Sequence, residues 1–326
     1  MNSVISLLVL TIAGFAQAGP SKLDSADAVR VAEFYRLAPT IENKVWSGWS
    51  KVPSTLILVT ADTEFLTHHP VPPKDFKLIG EDWFARPRQY PVNLQATFPA
   101  FGPPAVMVVG QPANTQSKAS TPWLFILMHE HFHQLQWAQP GYTDAVDALG
   151  LSKGDTTGMW MLNYPFPYQD PEIARAFADL RDLLLRAVSE SDGPAFQALV
   201  REYVNARAKF FAKLSPDDHK YFAFQLWQEG IARYTEVRSA EAAAGYRPTA
   251  QFAALADYES FSSFAKRKRS LTLDELRHAD LPTWKRTVVY SFGATEGFLL
   301  DRVHPGWKED YFPHMLSTDS FFKGMN

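Results

Sequence analysis

The sequence predicts an α+β protein in which a small α/β portion, residues 19–120, is followed by a larger and mostly helical portion, residues 121–326. Before residue 120, the runs TLILVT (55–60) and AVMVVG (105–110) are β-rich and bounded by Pro or Gly, as strands are. After residue 120, small capping residues followed directly by proline mark one helix start after another. No internal repeat or low-complexity linker separates the portions. We therefore expect them to form one continuous unit.

The first eighteen residues, MNSVISLLVLTIAGFAQA, predict a secretory signal peptide cleaved after Ala18. The stretch is apolar, ends in small residues and is short for a membrane span. It carries no Lys or Arg before the apolar run, so a retained membrane anchor or a buried helix remains an alternative. We expect a secreted or periplasmic protein without stable membrane insertion.

Composition excludes several function classes. The chain has no cysteine, which rules out disulfides, thiolate metal ligands and a cysteine nucleophile. The formal net charge is -3, and the dense basic run at 266–269 is interpreted as a solvated loop, so no nucleic-acid partner is expected. The sequence lacks G-x-S-x-G, GxGxxG and P-loop patterns, which removes the usual signals of serine hydrolases and nucleotide binders.

In the N-terminal portion, helical spacing of apolar residues predicts a helix from Ser25 to Leu37. The two β-rich runs follow it. Prolines recur throughout the stretch between those runs, and proline is confined to edge strands and strand ends. This pattern favours edge strands and loops over a long regular sheet.

Helix starts in the second portion are predicted at Thr121-Pro122, Asp170-Pro171 and Ser215-Pro216, because the first residue caps free N–H groups and proline has none to leave unpaired. The segment 272–275, TLDE, has the pattern of a capping box. The last strong helix is expected from Pro282 to Val303, before a Pro-Gly pair.

The segment HEHFH, residues 129–133, lies in the middle of the first of these helices. His129 and His133 are four residues apart and share one helix face, so they can bind one metal ion. Glu130 is placed to reach a water at that metal, whereas His131 points elsewhere and is interpreted as a packing histidine. The alternative is a helix whose histidines are merely packed. Against this alternative, the apolar run before the histidines implies that the helix is buried there, and burial of unpaired polar groups costs free energy.

A third ligand is needed, and Glu229 in LWQEGIARYTE is the candidate because its neighbours are apolar. We therefore predict one Zn²⁺ per chain, held by His129, His133 and Glu229. The alternative for Glu229 is an ordinary helix pair with Arg233. Glu236, seven residues further on, either orients a ligand histidine or lies on the surface.

These motifs resemble those of the gluzincin metallopeptidases, in which two helices supply His, His and Glu to one zinc. WQEGIA (227–232) is similar to the third-ligand segment of aminopeptidase N-like enzymes. Tyr290 begins a segment similar to their Y-x-K-G-A, whose tyrosine supports the oxyanion, although Phe292 replaces the lysine. His133 and Glu229 are 96 residues apart, further than in that pattern, and no G-A-M-E-N segment is present. The resemblance implies a zincin-like helical portion.

We accordingly expect an exported zinc metallopeptidase that acts on a peptide or protein substrate. Glu130 would serve as general base and Tyr290 as oxyanion donor, with Tyr234 and His219 as alternatives to the tyrosine. The aromatic residues of the loop 154–171, namely Trp160, Tyr164, Phe166 and Tyr168, either wall the substrate cleft or pack into the core. The other functions considered are an inactive zinc-binding protein, a zinc amidase acting on cell-wall material, and a structural protein without metal.

Overall fold

A computed structural model describes residues 22–323 of the chain. It confirms the α+β class: a six-stranded mixed sheet in the N-terminal portion precedes a larger helical portion. The predicted signal peptide lies outside the described residues.

The first helix, α1, spans Ser25–Val45, and Asp24 caps it by accepting hydrogen bonds from the backbone N–H groups of Ala26 and Asp27. The predicted helix was right in its start and too short at its end. Leu37, Ile41 and Val45 continue the apolar face at intervals of four residues, and all three are buried. Burial of this face therefore extends the helix beyond Leu37.

The sheet contains the two predicted strands at its centre. Its strands are β1 Leu56–Val59, β2 Thr63–Thr67, β3 Lys77–Gly80, β4 Trp83–Pro87, β5 Gln95–Phe98 and β6 Val106–Gly110. They lie in the order β3-β4-β2-β1-β6-β5, with β1 parallel to β6 and every other pair antiparallel. The proline-rich stretch thus supplies four short strands as well as loops, because its prolines fall at strand ends or between strands.

The remaining elements are mostly helical. The α-helices are α2 Ser120–Trp137, α3 Tyr142–Ala148, α4 Trp160–Asn163, α5 Pro171–Ser189, α6 Pro194–Lys213, α7 Pro216–Gln225, α8 Ile231–Ala242, α9 Ala250–Ala253, α10 Phe261–His278, α11 Leu281–Trp284, α12 Val288–Val303, α13 Trp307–Tyr311 and α14 Asp319–Phe322. A π-helical turn, Leu226–Gly230, joins α7 to α8, and a 3-10 turn, Lys285–Thr287, precedes α12.

Two of the predicted cap-and-proline starts are confirmed. Asp170 accepts hydrogen bonds from two backbone N–H groups of α5, and Ser215 accepts one from α7. The prediction at Thr121 was wrong by two residues, because α2 begins at Ser120 after Ala119. The hydroxyl of Thr121 donates instead to the carbonyl of Glu259 at 2.6 Å.

The predicted capping box at Thr272 was also wrong. Thr272 lies inside α10, which Ser260 caps, and its hydroxyl donates to the carbonyl of Lys268. The basic run 266–269 belongs to the same helix and is not a solvated loop, since Lys268 is only 9% exposed. Helix α10 forms because Phe261, Phe264 and other apolar side chains on one face are buried.

One apolar core contains residues from both portions of the chain. It includes one face of the sheet, represented by Leu56 and Met107, and the buried faces of α1, α2, α8 and α12. Helix α2 packs against β5, β6 and α8, and α8 packs against α12. The three helices that carry the candidate site residues are therefore stacked side by side. Between residues 22 and 323, no helix is both long and apolar enough to cross a membrane.

Candidate metal centre

Three helical segments position the candidate site residues. Helix α2 carries the HEHFH segment, in which all five residues are buried. Glu229 lies in the π-helical turn between α7 and α8, and Tyr290 lies in the first turn of α12. A π-turn inserts an extra residue into a helix and changes the direction of the side chains there, which is why such turns are common at functional sites.

Two glycines allow the segments of Glu229 and Tyr290 to approach closely. A Cβ atom built on Gly293 of α12 would lie 2.6 Å from the Cα of Gly230, and one built on Gly230 would lie 2.6 Å from the Cα of Gly293. Both distances are too short for any side chain. Gly297, four residues after Gly293 on α12, lies against the ring of Tyr234, where a Cβ would be 2.5 Å from Cδ2 of the ring. Both glycines of α12 therefore permit close helix packing.

His129, His133 and Glu229, here called the triad, form a compact group of possible metal ligands. The Nε2 atoms of the two histidines are 3.2 Å apart. The Oε2 atom of Glu229 lies 3.6 Å from Nε2 of His129 and 3.4 Å from Nε2 of His133. A tetrahedral zinc with ligand bonds of about 2.0–2.1 Å separates its ligand atoms by about 3.3 Å. The triangle formed by the three atoms therefore fits the first shell of one zinc ion.

The outward nitrogens of both histidines face polar partners. Nδ1 of His133 is 2.7 Å from Oε1 of Gln136, and Nδ1 of His129 is 3.6 Å from Oε2 of Glu236. Such partners fix the orientation of ligand imidazoles. Burial lowers the pKa of His129, but hydrogen bonding to Glu229 and Glu236 outweighs it and raises the pKa to about 9. The two carboxylates beside His129 thus favour the protonated, positively charged form of its ring.

Glu130 lies beside the triad and is 5% exposed. The hydroxyl of Thr97, on edge strand β5, is 2.8 Å from its Oε2 and 2.9 Å from its main-chain oxygen. Burial raises the pKa of the Glu130 carboxyl, although the nearby histidines His133 and His129 oppose the rise. A carboxylate with a raised pKa accepts a proton more readily, as a general base must.

Tyr290 lies against His129, with ring centroids 6.1 Å apart and nearly parallel planes. Nη2 of Arg286 donates to its hydroxyl oxygen at 3.2 Å. The hydroxyl hydrogen has no acceptor among the described residues, so it is free to donate into the site. Burial and the carboxylate of Glu229 raise the pKa of Tyr290, which keeps the phenol protonated.

Several residues considered from the sequence lie away from this centre. His131 packs against Trp49, with ring centroids 5.2 Å apart, and its ring nitrogens contact Gln134 and Glu42. Tyr234 donates to Asp301, and His219 pairs with Asp319. Neither of these two alternatives to Tyr290 borders the cleft described below.

The aromatic residues of the loop 154–171 pack chiefly against α7. Trp160 stacks on Phe224, Tyr164 stacks on Tyr221, and Phe166 stacks on Phe222. None of the four aromatic residues borders the cleft. Of the two interpretations of this loop, the geometry fits packing.

Sequence reasoning missed Arg286, Gln136 and Thr97, and the alternative that it considered for Glu229, a helix pair with Arg233, differs from the ion pairs of the structure. Nη1 of Arg286 lies 3.5 Å from Oε1 of Glu229, whereas Nε of Arg233 lies 3.3 Å from Oε2 of Glu236. Gln136 follows His133 by three residues, a helical spacing that could have identified it. Nothing local in the sequence indicates that Arg286 or Thr97 is close to the site.

A cleft of about 690 Å³ opens beside the triad, of which His129 forms part of the wall. Its wall includes His129, Glu130 and Tyr290, apolar groups of Ile126, Phe264, Leu271 and Trp284, and the cations Arg233, Arg267, Lys268 and Arg286. A cleft of this size accommodates several residues of a peptide or a small molecule.

Comparisons with protein-family models, with curated proteins and with solved structures find no match for this chain.

Proposed function

We propose that this protein is an exported zinc-dependent hydrolase that cleaves peptide bonds, with a site of the gluzincin type. The observation that carries the proposal is the triangle formed by Nε2 of His129, Nε2 of His133 and Oε2 of Glu229, whose sides of 3.2, 3.6 and 3.4 Å suit one tetrahedral zinc. Three protein ligands leave a fourth position open, which distinguishes catalytic zinc sites from closed structural ones.

Zinc bound by the triad would polarise a substrate carbonyl and lower the pKa of water. Glu130 then accepts a proton from the attacking water and delivers it to the leaving amine. The hydrogen bond from Thr97 to Oε2 of Glu130 fixes the carboxylate at one edge of the cleft. Glu130 is buried beside the triad, so this proton transfer takes place away from bulk water.

Tyr290 stabilises the negative charge that develops on the carbonyl oxygen. Its hydroxyl oxygen accepts from Arg286, so the hydroxyl hydrogen is directed to another acceptor. A positioned donor of this kind contributes more to the transition state than to the ground state. The guanidinium of Arg286, 5.4 Å from the centre of the Tyr290 ring, adds positive charge near the same oxygen.

A peptide substrate is favoured by the edge strand that lies along α2. Strand β5 is at one end of the sheet, and its Gln95 borders the cleft. Extended peptides bind such edges through main-chain hydrogen bonds. An inactive zinc-binding protein is disfavoured by the buried Glu130, which a binding site does not need. A cell-wall amidase would use the same chemistry, so only the substrate distinguishes it from a peptidase.

The first experiment measures zinc by elemental mass spectrometry in tag-free protein. We expect about one zinc per chain in the wild type and none in the His133→Ala and Glu229→Ala variants. His131→Ala is the matched control, because this histidine of the same helix faces Trp49 and should leave the zinc content unchanged. Wild-type protein that binds no zinc, even when zinc is supplied, would overturn the proposal.

The second experiment replaces Glu130 with Gln, which keeps the shape of the side chain and removes the base. The variant should retain zinc and lose at least about a hundredfold in kcat on a peptide substrate. Cleavage at the wild-type rate would exclude Glu130 as the base. Zinc binding without Glu130-dependent cleavage would favour the inactive zinc-binding protein.

A further inference from the structure

The cleft contains a cation whose hydrogen-bonding capacity is unused. Arg233 borders the cleft, and within residues 22–323 its guanidinium makes no hydrogen bond. Its contacts are an ion pair, in which Nε lies 3.3 Å from Oε2 of Glu236, and the ring of Tyr290 at 5.6 Å. A guanidinium has five N–H donors in a planar arrangement that matches a carboxylate. Buried polar groups without partners are rare and call for an explanation.

The other cations of the cleft wall have hydrogen-bonding partners in the protein. Arg267 forms a two-point ion pair with Glu259, and Nζ of Lys268 lies 2.5 Å from Oε1 of Glu236. Arg286 donates to Gln225 and to Tyr290. Glu236 therefore serves Lys268, Arg233 and His129 at once. One carboxylate cannot neutralise all of these groups, and of the two basic residues Arg233 lies further from it, at 3.3 Å against 2.5 Å for Lys268.

If the zinc ion of the proposed function is counted, the charged groups in and around the cleft sum to one excess positive charge. The inference therefore rests on the proposed function. The cations are the four basic residues of the wall and the zinc dication. The carboxylates are those of Glu130, Glu229, Glu236, Glu259 and Glu275, of which Glu275 borders the cleft without an ion pair within 4 Å. The excess equals the charge of one substrate carboxylate.

We infer that Arg233 binds a carboxylate of the substrate, and that the protein prefers peptides that carry one close to the cleaved bond. Arg233 and His129 are close to each other, because both contact the carboxylate of Glu236 and both lie beside the ring of Tyr290. Because an extended residue spans about 3.3–3.6 Å, the carboxylate belongs within about two residues of that bond. The carboxylate is either the C-terminus of the peptide or an Asp or Glu side chain.

The test uses four pools of hexapeptides with free N-termini and random neutral residues. One pool ends in a free carboxylate and one in an amide. The other two end in an amide and carry either Glu or Gln at a fixed central position. Initial cleavage rates and cleavage positions are measured by mass spectrometry. The wild type should cleave the free-acid pool or the Glu pool roughly ten- to a hundredfold faster than its uncharged partner, as expected for a charged hydrogen-bonded pair. Which pool is preferred identifies the source of the carboxylate.

Three variants assign the preference to Arg233. Arg233→Met should remove the preference by slowing only the carboxylate pool, and Arg233→Lys should retain part of it, because lysine keeps the charge without the planar donor pair. Arg267→Met is the matched control: it removes a cation from the same wall, but one already paired with Glu259, and should leave the preference intact. Zinc content and thermal unfolding of each variant show whether it is folded.

The inference and the proposed function fail in different ways. If the neutral pools are cleaved by the wild type and not by Glu130→Gln, but carboxylates bring no preference, the function stands and the inference is overturned. An Arg233→Met variant that is folded and keeps the preference also overturns it. If no pool is cleaved in a Glu130-dependent way, the proposed function fails and the inference fails with it.

Discussion

At the scale of single residues, His129 shows how a buried imidazole is placed between two carboxylates. Its two ring nitrogens face two carboxylates, Glu229 at 3.6 Å from Nε2 and Glu236 at 3.6 Å from Nδ1. Lys268 holds Glu236 in place, with its Nζ 2.5 Å from Oε1 of the carboxylate. Buried charges are tolerated only where they are paired. The carboxylate of Glu236 is therefore as much a part of this cluster as that of Glu229, and Lys268 supports its position.

The hydroxyl of Tyr290 can be tested without disturbing its ring. Replacing Tyr290 with Phe should lower kcat by roughly a hundred- to a thousandfold, because one donor to the oxyanion is removed, while KM and zinc content stay nearly unchanged. Steady-state kinetics on a cleaved peptide and elemental analysis measure both effects.

Tyr234→Phe is the control for this substitution. Tyr234 is fully buried and donates to Asp301 away from the cleft, so loss of its hydroxyl should lower the free energy of unfolding by about 1 kcal/mol and leave kcat within twofold. If Tyr290→Phe left kcat unchanged, the oxyanion role would pass to another group, with Arg286 the first to examine.

At the scale of secondary-structure elements, the site depends on how closely two helical segments cross. The π-turn carries Glu229, α12 carries Tyr290, and Gly230 meets Gly293 where the two segments cross. The close crossing of the two segments thus explains both Gly230, which follows Glu229, and Gly293, which lies three residues after Tyr290. Helix backbones in contact leave no room for a side chain, so the glycine pair sets the spacing between the segments that carry Glu229 and Tyr290.

Adding one methyl group at this crossing should separate the segments. A Cβ on Gly293 would lie 2.6 Å from the Cα of Gly230 and 3.1 Å from the carbonyl oxygen of Leu226, and neither backbone atom can move aside freely. We expect Gly293→Ala to lower the free energy of unfolding by about 1–3 kcal/mol, as overpacking does, and to weaken zinc binding. Denaturant titration and zinc competition with a chelator measure the two losses.

Gly245→Ala provides the comparison. A Cβ at Gly245 meets no atom within 4 Å, so this substitution should change neither stability nor zinc affinity appreciably. Equal behaviour of the two variants would show that the crossing tolerates a side chain and that the glycine contact does not set the geometry.

At the scale of the whole molecule, the sheet and the helices form one structure. The same apolar core includes residues of both portions. Polar contacts join them as well: the amide of Gln134 in α2 donates to the carbonyls of Thr55 and Ala105 beside the sheet, and the indole of Trp46 donates to Thr235 in α8. The helix that carries the two histidines is thus fixed to the sheet by its buried face and by its side chains.

This shared core predicts a single unfolding transition. Tryptophan fluorescence and far-UV circular dichroism should give coincident curves in denaturant for the zinc-free protein, and a fragment of residues 19–120 should not fold alone. Two separated transitions, or a folded fragment with a cooperative melt, would show that the portions are independent domains.

The sequence by itself determined the α+β class, strands β1 and β6, the starts of α1, α5 and α7, and the residues of the triad as candidates. These depend on local rules: strand runs alternate or are continuously apolar, caps sit beside their helices, and residues four apart share a helix face. The pairing of Glu229 with HEHFH, 96 residues apart, rested on the apolar neighbours of Glu229 and was supported by a resemblance between short motifs.

Only the tertiary structure decided which other groups border the site. Arg286 reaches Glu229 and Thr97 reaches Glu130 across contacts between distant segments. Tyr234 and His219 are bonded elsewhere, and the basic run, expected in a solvated loop, brings Lys268 into the cleft on α10. Such contacts depend on how helices cross, which is set by packing over the whole core and not by any local pattern.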